Sequence, residues 1–211
     1  DLSKVIFKSW FVDFDPIRSK LEGYSSKLQN TIIDLFPRSF QDTKYGKIPS
    51  GWNLKSIFEC GSFINGGAFS QKLLNYDQKG LPIIKINELK NGLTKQTNYW
   101  DIDFDEKYFI KRGDILFSWS GNPDTSIGTY VWNNVDGLLN QHIFKVIANS
   151  DFSRSHLLLL LKHYQRLFIE LARNKMTTNL GHVTVQDLKE NYVPYPDEKI
   201  PTFYEQIISQ K

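Results

Sequence analysis

At 211 residues, with 40% hydrophobic and 14% aromatic side chains, the chain carries enough apolar content to bury a sizeable core, which excludes a disordered protein. Its formal charge of +3 is a mild basic excess that suits an anionic partner such as nucleic acid without requiring one. The single cysteine, Cys60, excludes an internal disulfide and a multi-thiolate metal site, and we read it as a buried thiol.

No charged-then-apolar signal peptide opens the chain. Its longest apolar run, Leu157 to Leu161, is far shorter than the roughly 20 residues that cross a bilayer. We therefore expect a cytoplasmic, soluble protein with no membrane partner. With Asp1 in place of an initiator Met, we also expect a piece of a longer polypeptide.

In chain order, Val5, Ile6, Phe7, Trp10, Phe11 and Phe14 form a wide apolar stripe at helical spacing, which Asp15-Pro16 is expected to stop. A second helix is expected from Ser25 to Leu35, with Leu28, Ile32 and Leu35 on one face, Ser25 or Ser26 as cap, and Pro37 beyond its end. Residues 41–51 turn to Asp, Thr, Lys, Gly, Pro and Ser, which marks a domain boundary, with a new domain starting near Trp52. Short β-type runs follow at Leu54 to Phe58, Phe63-Ile64, Leu81 to Ile86, Tyr108 to Ile110, Ile115 to Trp119, Thr129 to Trp132 and Ile143 to Ile147. Turn pairs such as Gly66-Gly67, Asn91-Gly92, Asn133-Asn134 and Asp136-Gly137 separate many of them. The period then changes: Ser153 to Arg173 spaces Leu157, Leu160, Leu161, Tyr164, Leu167, Phe168 and Leu171 as one amphipathic helix. A polar loop over 174–181, a short helix capped by Thr184 and Asp187, a strand-like exit from Tyr192 to Pro196 and a helix opened by Pro201 complete the pattern. The fold class is α+β, an irregular and mainly antiparallel β core with packed helices.

Catalytic patterns are incomplete. Asp77, Glu88 and Lys90 have the loose form of a magnesium-dependent nuclease set, and they define the alternative function, although Glu-x-Lys is a short motif that an exposed strand end also explains. Asp101, Asp103 and Asp105 alternate as in a calcium loop that lacks its Gly and its final Glu. Asn122-Pro123-Asp124-Thr125 begins like an amino-methyltransferase motif without its aromatic residue. The four histidines are scattered, and Ser118 and Ser120 sit outside a nucleophile elbow. No catalytic residue, metal or cofactor is assigned.

The order Phe7-Lys8-Ser9-Trp10-Phe11-Val12-Asp13-Phe14-Asp15-Pro16, Leu35-Phe36-Pro37, Gly46-Lys47-Ile48-Pro49-Ser50-Gly51-Trp52, Gly113-Asp114-Ile115-Leu116-Phe117-Ser118 and Asn140-Gln141-His142-Ile143 resembles the DNA specificity subunit of type I restriction-modification systems over essentially the whole chain. The resemblance implies a non-catalytic module that reads one half of a bipartite site in double-stranded DNA. It further implies methyltransferase (modification) subunits as partners and, through the assembled complex, the restriction subunit. It divides the chain into the end of a helical spacer (1–40), one target-recognition domain (46–199) and the start of the next conserved helix (200–211). The stripe Phe7, Trp10, Phe11 and Phe14 would then belong to the partner-docking helix, although read from the residues alone it is better explained by a helix packing on a helix than by a ligand site.

Base reading needs amides or guanidiniums, while Lys, Ser, Thr and backbone N–H groups serve phosphates. Three polar loops offer these groups. The first holds Asn65, Ser70 and Gln71 beside Gly66 and Gly67, which would let the backbone come close. The second holds Ser120, Asn122 and Thr125. The third holds Arg173, Lys175, Thr177, Thr178, Asn179 and His182, with Asn174 among them. Asn140, Gln141 and His142 either join this surface or hold the β core by hydrogen bonds. Trp52 and Trp119 are expected in the core.

Overall fold

A computed structural model describes residues 2–23, 30–150, 152–196 and 199–209. The order begins α1 (Leu2–Phe11), α2 (Asp15–Glu22), α3 (Asn30–Ile33), β1 (Phe40–Thr43), β2 (Gly46–Pro49) and β3 (Asn53–Ser56). It continues with β4 (Gly61–Asn65), β5 (Leu81–Ile84), α4 (Ile86–Asn91), β6 (Tyr99–Trp100), β7 (Phe109–Ile110) and β8 (Ile115–Ser118). Next come β9 (Ser120–Gly121), α5 (Pro123–Ser126), β10 (Gly128–Val131), β11 (Gly137–Leu139) and β12 (Ile143–Ala148). Last are α6 (Arg154–His163), α7 (Gln165–Asn174), β13 (Gly181–His182), α8 (Val185–Glu190), β14 (Tyr192–Tyr195) and α9 (Lys199–Ser209). Ser25, Ser26 and Leu28 of the second expected helix lie outside the described residues. The chain divides into two compact units, one of residues 1–60, 148–159 and 189–211, the other of residues 61–147 and 160–188.

The first unit is built on aromatic packing. Phe7, Trp10, Phe11 and Phe14 are all buried, because their helical spacing turns them to one side of α1 and its exit. Trp10 meets Phe36 edge-on at 5.3 Å, Phe14 meets Trp52 at 5.6 Å, and Phe11 lies 4.3 Å from the His156 ring. Tyr204 of α9 donates its hydroxyl to the Ser3 carbonyl at 3.1 Å. The four aromatic side chains assigned to docking are thus core, and they leave only the far side of α1 for a partner. Pro16 stands at the start of α2, where its missing N–H has no helical partner to lose. It therefore opens a second helix as well as following the first.

Most of the segment 41–51, read from composition as a domain boundary, is a hairpin. β1 and β2 pair antiparallel from Phe40↔Pro49 to Thr43↔Gly46 around a Lys44-Tyr45 turn. Its turn-forming composition is the same as that of a loop, so composition alone does not separate the two. β3 pairs antiparallel with β14, and the Leu54 to Phe58 run is cut after Ser56 by a 3-10 turn over Ile57–Cys60.

The second unit holds the β core. One sheet has strand order β10-β8-β12-β4 and another β6-β5-β11-β7. All four residues of β8 are buried, which is why it reads as an unbroken apolar run. Ile84, Ile110, Leu116, Trp132, Leu139 and Ile143 form a common cluster. The β10–β8, β8–β12, β5–β6, β7–β11 and β9–β13 pairs are antiparallel, while β11 runs parallel to β5. β11 itself is hidden in sequence by its brevity after the Asp136-Gly137 turn.

Two further readings change. Leu81 to Ile86 is a strand only to Ile84, because Glu88 caps a helix from Ile86, accepting from the Lys85 backbone N–H at 3.1 Å. The helix expected over 153–173 is interrupted at Tyr164 between α6 and α7, yet hydrogen bonds from Tyr164 N to Leu160 O and from Phe168 N to Tyr164 O carry it through. On α7, Phe168 packs edge-on against Phe117 of β8 at 4.9 Å. Gln165 donates to the Ile127 carbonyl at 2.6 Å.

Candidate nucleic-acid interface

Trp119 directly follows β8, and three chain-distant segments of the second unit meet on it. Its indole N–H donates to Asn65 Oδ1 at 3.0 Å. Its backbone N–H donates to the His142 carbonyl at 3.3 Å, and its carbonyl accepts from Val183 N at 2.8 Å. The His142 ring stands edge-on to the indole at 5.8 Å. Trp119 is half-exposed here and not a core residue; its polar tip wants partners that a β edge supplies. Trp52, in contrast, is buried as expected.

The second and third loops are joined twice. β9 pairs antiparallel with β13, placing His182 opposite Ser120 and Gly181 opposite Gly121. A Cβ on Gly181 would lie 2.2 Å from the Ala172 carbonyl oxygen, so only glycine lets β13 pass the end of α7. Arg173 forms an ion pair with Asp124 across the same gap.

Within this frame the candidate residues separate by role. Asn122 caps α5: its Oδ1 accepts from Asp124 N at 3.1 Å, Thr125 N at 3.2 Å and Thr125 Oγ1 at 3.2 Å. Asn122 and Thr125 thus hold the loop's shape through those oxygens. Lys175 donates to Asp187 Oδ1 at 2.5 Å and to Thr184 Oγ1 at 3.3 Å. Burial opposes the charge of Asp187. Hydrogen bonds from Lys175 and from the backbone and hydroxyl of Thr184 outweigh it and hold the carboxyl below its usual range. The cap expected at Thr184 and Asp187 is present, with reciprocal bonds of 2.7 and 3.1 Å. Lys175 fastens the third loop to that cap.

Between Lys175 and β13 the chain makes a tight turn. Thr177 and Leu180 exchange backbone hydrogen bonds of 3.0 Å in both directions. The two residues between them have positive φ, 49° at Thr178 and 64° at Asn179. Asn tolerates that region; a β-branched Thr is strained there. Met176, Thr177, Thr178, Asn179 and Leu180 are all exposed. The turn therefore presents two hydroxyls and an amide flanked by two apolar side chains.

The first loop is gathered only in part. Asn65, exposed at the end of β4, keeps both amide N–H donors beyond its bond to Trp119. Ser70 and Gln71 stand at a separate 3-10 turn over Gln71–Leu73, which Phe69 anchors on Trp100 at 5.1 Å and Tyr108 at 6.2 Å. Gly66 permits close approach of a backbone, but that backbone is the chain's own: a Cβ there would lie 2.2 Å from Asn140 O. Asn140 N donates to Ile84 O at 3.0 Å and Gln141 N to Gly67 O at 2.9 Å, so this segment holds the core by its main chain. The side chains of Gln141 and His142 remain exposed. Of the two readings of this segment, the main chain thus holds the core while these two side chains are left for the polar surface, and the sequence signal that marks them is a polar Asn-Gln-His entry directly before a buried strand.

The nuclease set is not assembled for that chemistry. Glu88 is buried, and its carboxylate caps α4 and accepts from Thr97 Oγ1 at 3.2 Å. Among the described residues no group of three or more His, Cys, Asp or Glu side chains is placed to hold a metal ion. Among them also, no helix is long and apolar enough to cross a membrane.

The family model of the type I restriction modification DNA specificity domain matches residues 49–210. The chain belongs to this family. The EcoBI specificity subunit of Escherichia coli is 23% identical over 180 residues, covering 78% of this chain and 35% of that protein. The MjaIX specificity subunit of Methanocaldococcus jannaschii is 21% identical over 209 residues, covering 92% and 42%. This specificity-domain chain thus spans less than half the length of the curated relatives it matches. Among solved structures, the HsdS subunit of Thermoanaerobacter tengcongensis aligns over 99% of this chain and 48% of that one, with a TM-score of 0.53 and 18% identity. That likeness is one of fold, the mixed α and mainly antiparallel β architecture described above.

Proposed function

We propose that this specificity-domain chain is a non-catalytic, sequence-specific DNA-binding module that reads one half of a bipartite duplex site. In chain order, residues 46–199 are its target-recognition domain, and residues 1–40 and 200–211 belong to helical spacers that dock methyltransferase subunits, through which the restriction subunit joins in the cytoplasm. The observation that carries the reading is the meeting of three chain-distant segments on Trp119, at Asn65, His142 and Val183. With the β9–β13 pair, which puts His182 opposite Ser120, we take Asn65, Ser120, His142 and His182 as one polar edge, with the turn over 177–180 next to it in sequence. Relatives of this family are named specificity subunits, which supports the same reading.

The roles follow from what each side chain has left to give. Asn65, Ser120, His182, Thr177, Thr178 and Asn179 retain donors and acceptors that suit base edges. Asn122, Thr125, Arg173 and Lys175 position the loops, and Arg173 can exchange Asp124 for a phosphate. Ser70 and Gln71 suit the flanking backbone. Docking of the methyltransferase falls to the exposed side of α1, where Leu2 and Val5 face solvent. Selection from random duplexes by the subunit assembled with its methyltransferase is the direct test. A short enriched motif is expected; recovery of no motif would refute sequence reading.

A further inference from the structure

We infer that the β1–β2 hairpin is a second DNA contact, one that grips the phosphate backbone without reading sequence. The inference rests on the proposed recognition function and adds a segment that none of the recognition loops includes. The hairpin tip is Thr43-Lys44-Tyr45-Gly46-Lys47. Tyr45 stacks on Tyr192 of β14 with ring centroids 4.9 Å apart and planes within 24°. The Lys44 ammonium lies 4.8 Å from the Tyr45 centroid and 5.5 Å from that of Tyr192. This arrangement holds a cation at a set place on two rings instead of leaving it on a free stem.

Several features point to a polyanion. Lys44 and Lys47 are both exposed, and neither has a carboxylate partner among the described residues. Asp42 stands opposite Lys47 in the ladder but forms no ion pair with it. Tyr45 and Tyr192 leave 47% and 36% of their surfaces in water, an apolar exposure that a stack alone does not need. Two ammonium groups and a tyrosine hydroxyl are donor types that bind phosphate oxygens, on a turn whose shape Thr43 Oγ1 holds by accepting from Tyr45 N at 3.1 Å and donating to Gly46 O at 2.7 Å. The tip carries no exposed amide or guanidinium suited to bidentate base reading, so its contribution should be independent of sequence.

The test uses the specificity subunit assembled with its methyltransferase, on the selected duplex and on a scrambled one, over a range of salt. In Lys44→Ala/Lys47→Ala, affinity for both duplexes should fall by the same factor. The slope of log K against log salt should become shallower by roughly 2, about one per lost phosphate contact. Lys44→Arg/Lys47→Arg should restore the slope, which a damaged fold would not. If the wild type prefers the selected duplex and the alanine variant keeps its slope and affinity, the hairpin does not touch DNA and only this inference fails; a protein partner for the hairpin would then be the remaining occupant. If the wild type shows no preference between duplexes, the recognition reading fails and the inference with it.

Discussion

At the scale of single residues, three side chains make checkable commitments. His156 is buried between Phe7, Phe11, Phe152 and Tyr204, and burial pushes its pKa down to about 3. The unfolded chain takes that proton near pH 6.5, so between pH 6.5 and 3 the unfolded state binds more protons and stability falls as pH falls. Thermal unfolding should show Tm dropping from pH 7 to pH 5, with a smaller drop in His156→Leu; equal drops in both proteins would remove His156 as the cause. Cys60 is fully buried with its thiol pushed up to about 12. A thiol reagent at pH 8 should label it only after denaturation, and rapid labelling of the folded protein would contradict its placement. Thr178 sits at φ 49°, where a β-branched residue costs about 1–2 kcal/mol. Thr178→Gly should therefore raise Tm by a few degrees, net of the entropy glycine adds to the unfolded chain; a lower Tm would show that the turn stores no strain.

At the scale of elements, the site is a matter of pairing. β9 and β13 are two residues each, and the proposed recognition edge depends on both. Gly181→Ala would drive a Cβ to 2.2 Å from Ala172 O, so it should shift β13 and destabilise the chain by about 2 kcal/mol or more. The ratio of affinities for the selected and scrambled duplexes should fall towards one while salt-sensitive binding persists; an unchanged ratio would separate this strand pair from recognition. Long or strongly patterned elements were legible in sequence: α1 from its aromatic stripe, β8 from its apolar run, α8 from the Thr184–Asp187 cap. The polar loops at 119–126 and 173–182 were legible as well. Their pairing was not, because a two-residue strand has no period to detect. Nor was it legible that Asn122 and Lys175 would be engaged by caps, since a capping side chain and a base-reading one have the same chemistry. The hairpin at 40–49, within the 41–51 segment read as a domain boundary, was not legible for a related reason: turn residues announce a reversal but not whether the flanks pair.

At the scale of the whole molecule, the proposed recognition half keeps its specificity and its affinity in different places. Each mismatch in its half-site should cost about 1–3 kcal/mol in equilibrium binding, and those costs should not depend on Lys44 or Lys47. The reading most open to test is that the turn following Lys175, which leads directly into the β13 strand paired with β9, reads bases. The measurement that tests it most directly is a paired selection from random duplexes, using the assembled subunit as wild type and as Thr177→Ala/Asn179→Ala. The variant should keep most of the enriched motif and lose preference at one or two of its positions. An identical motif from both proteins would contradict it.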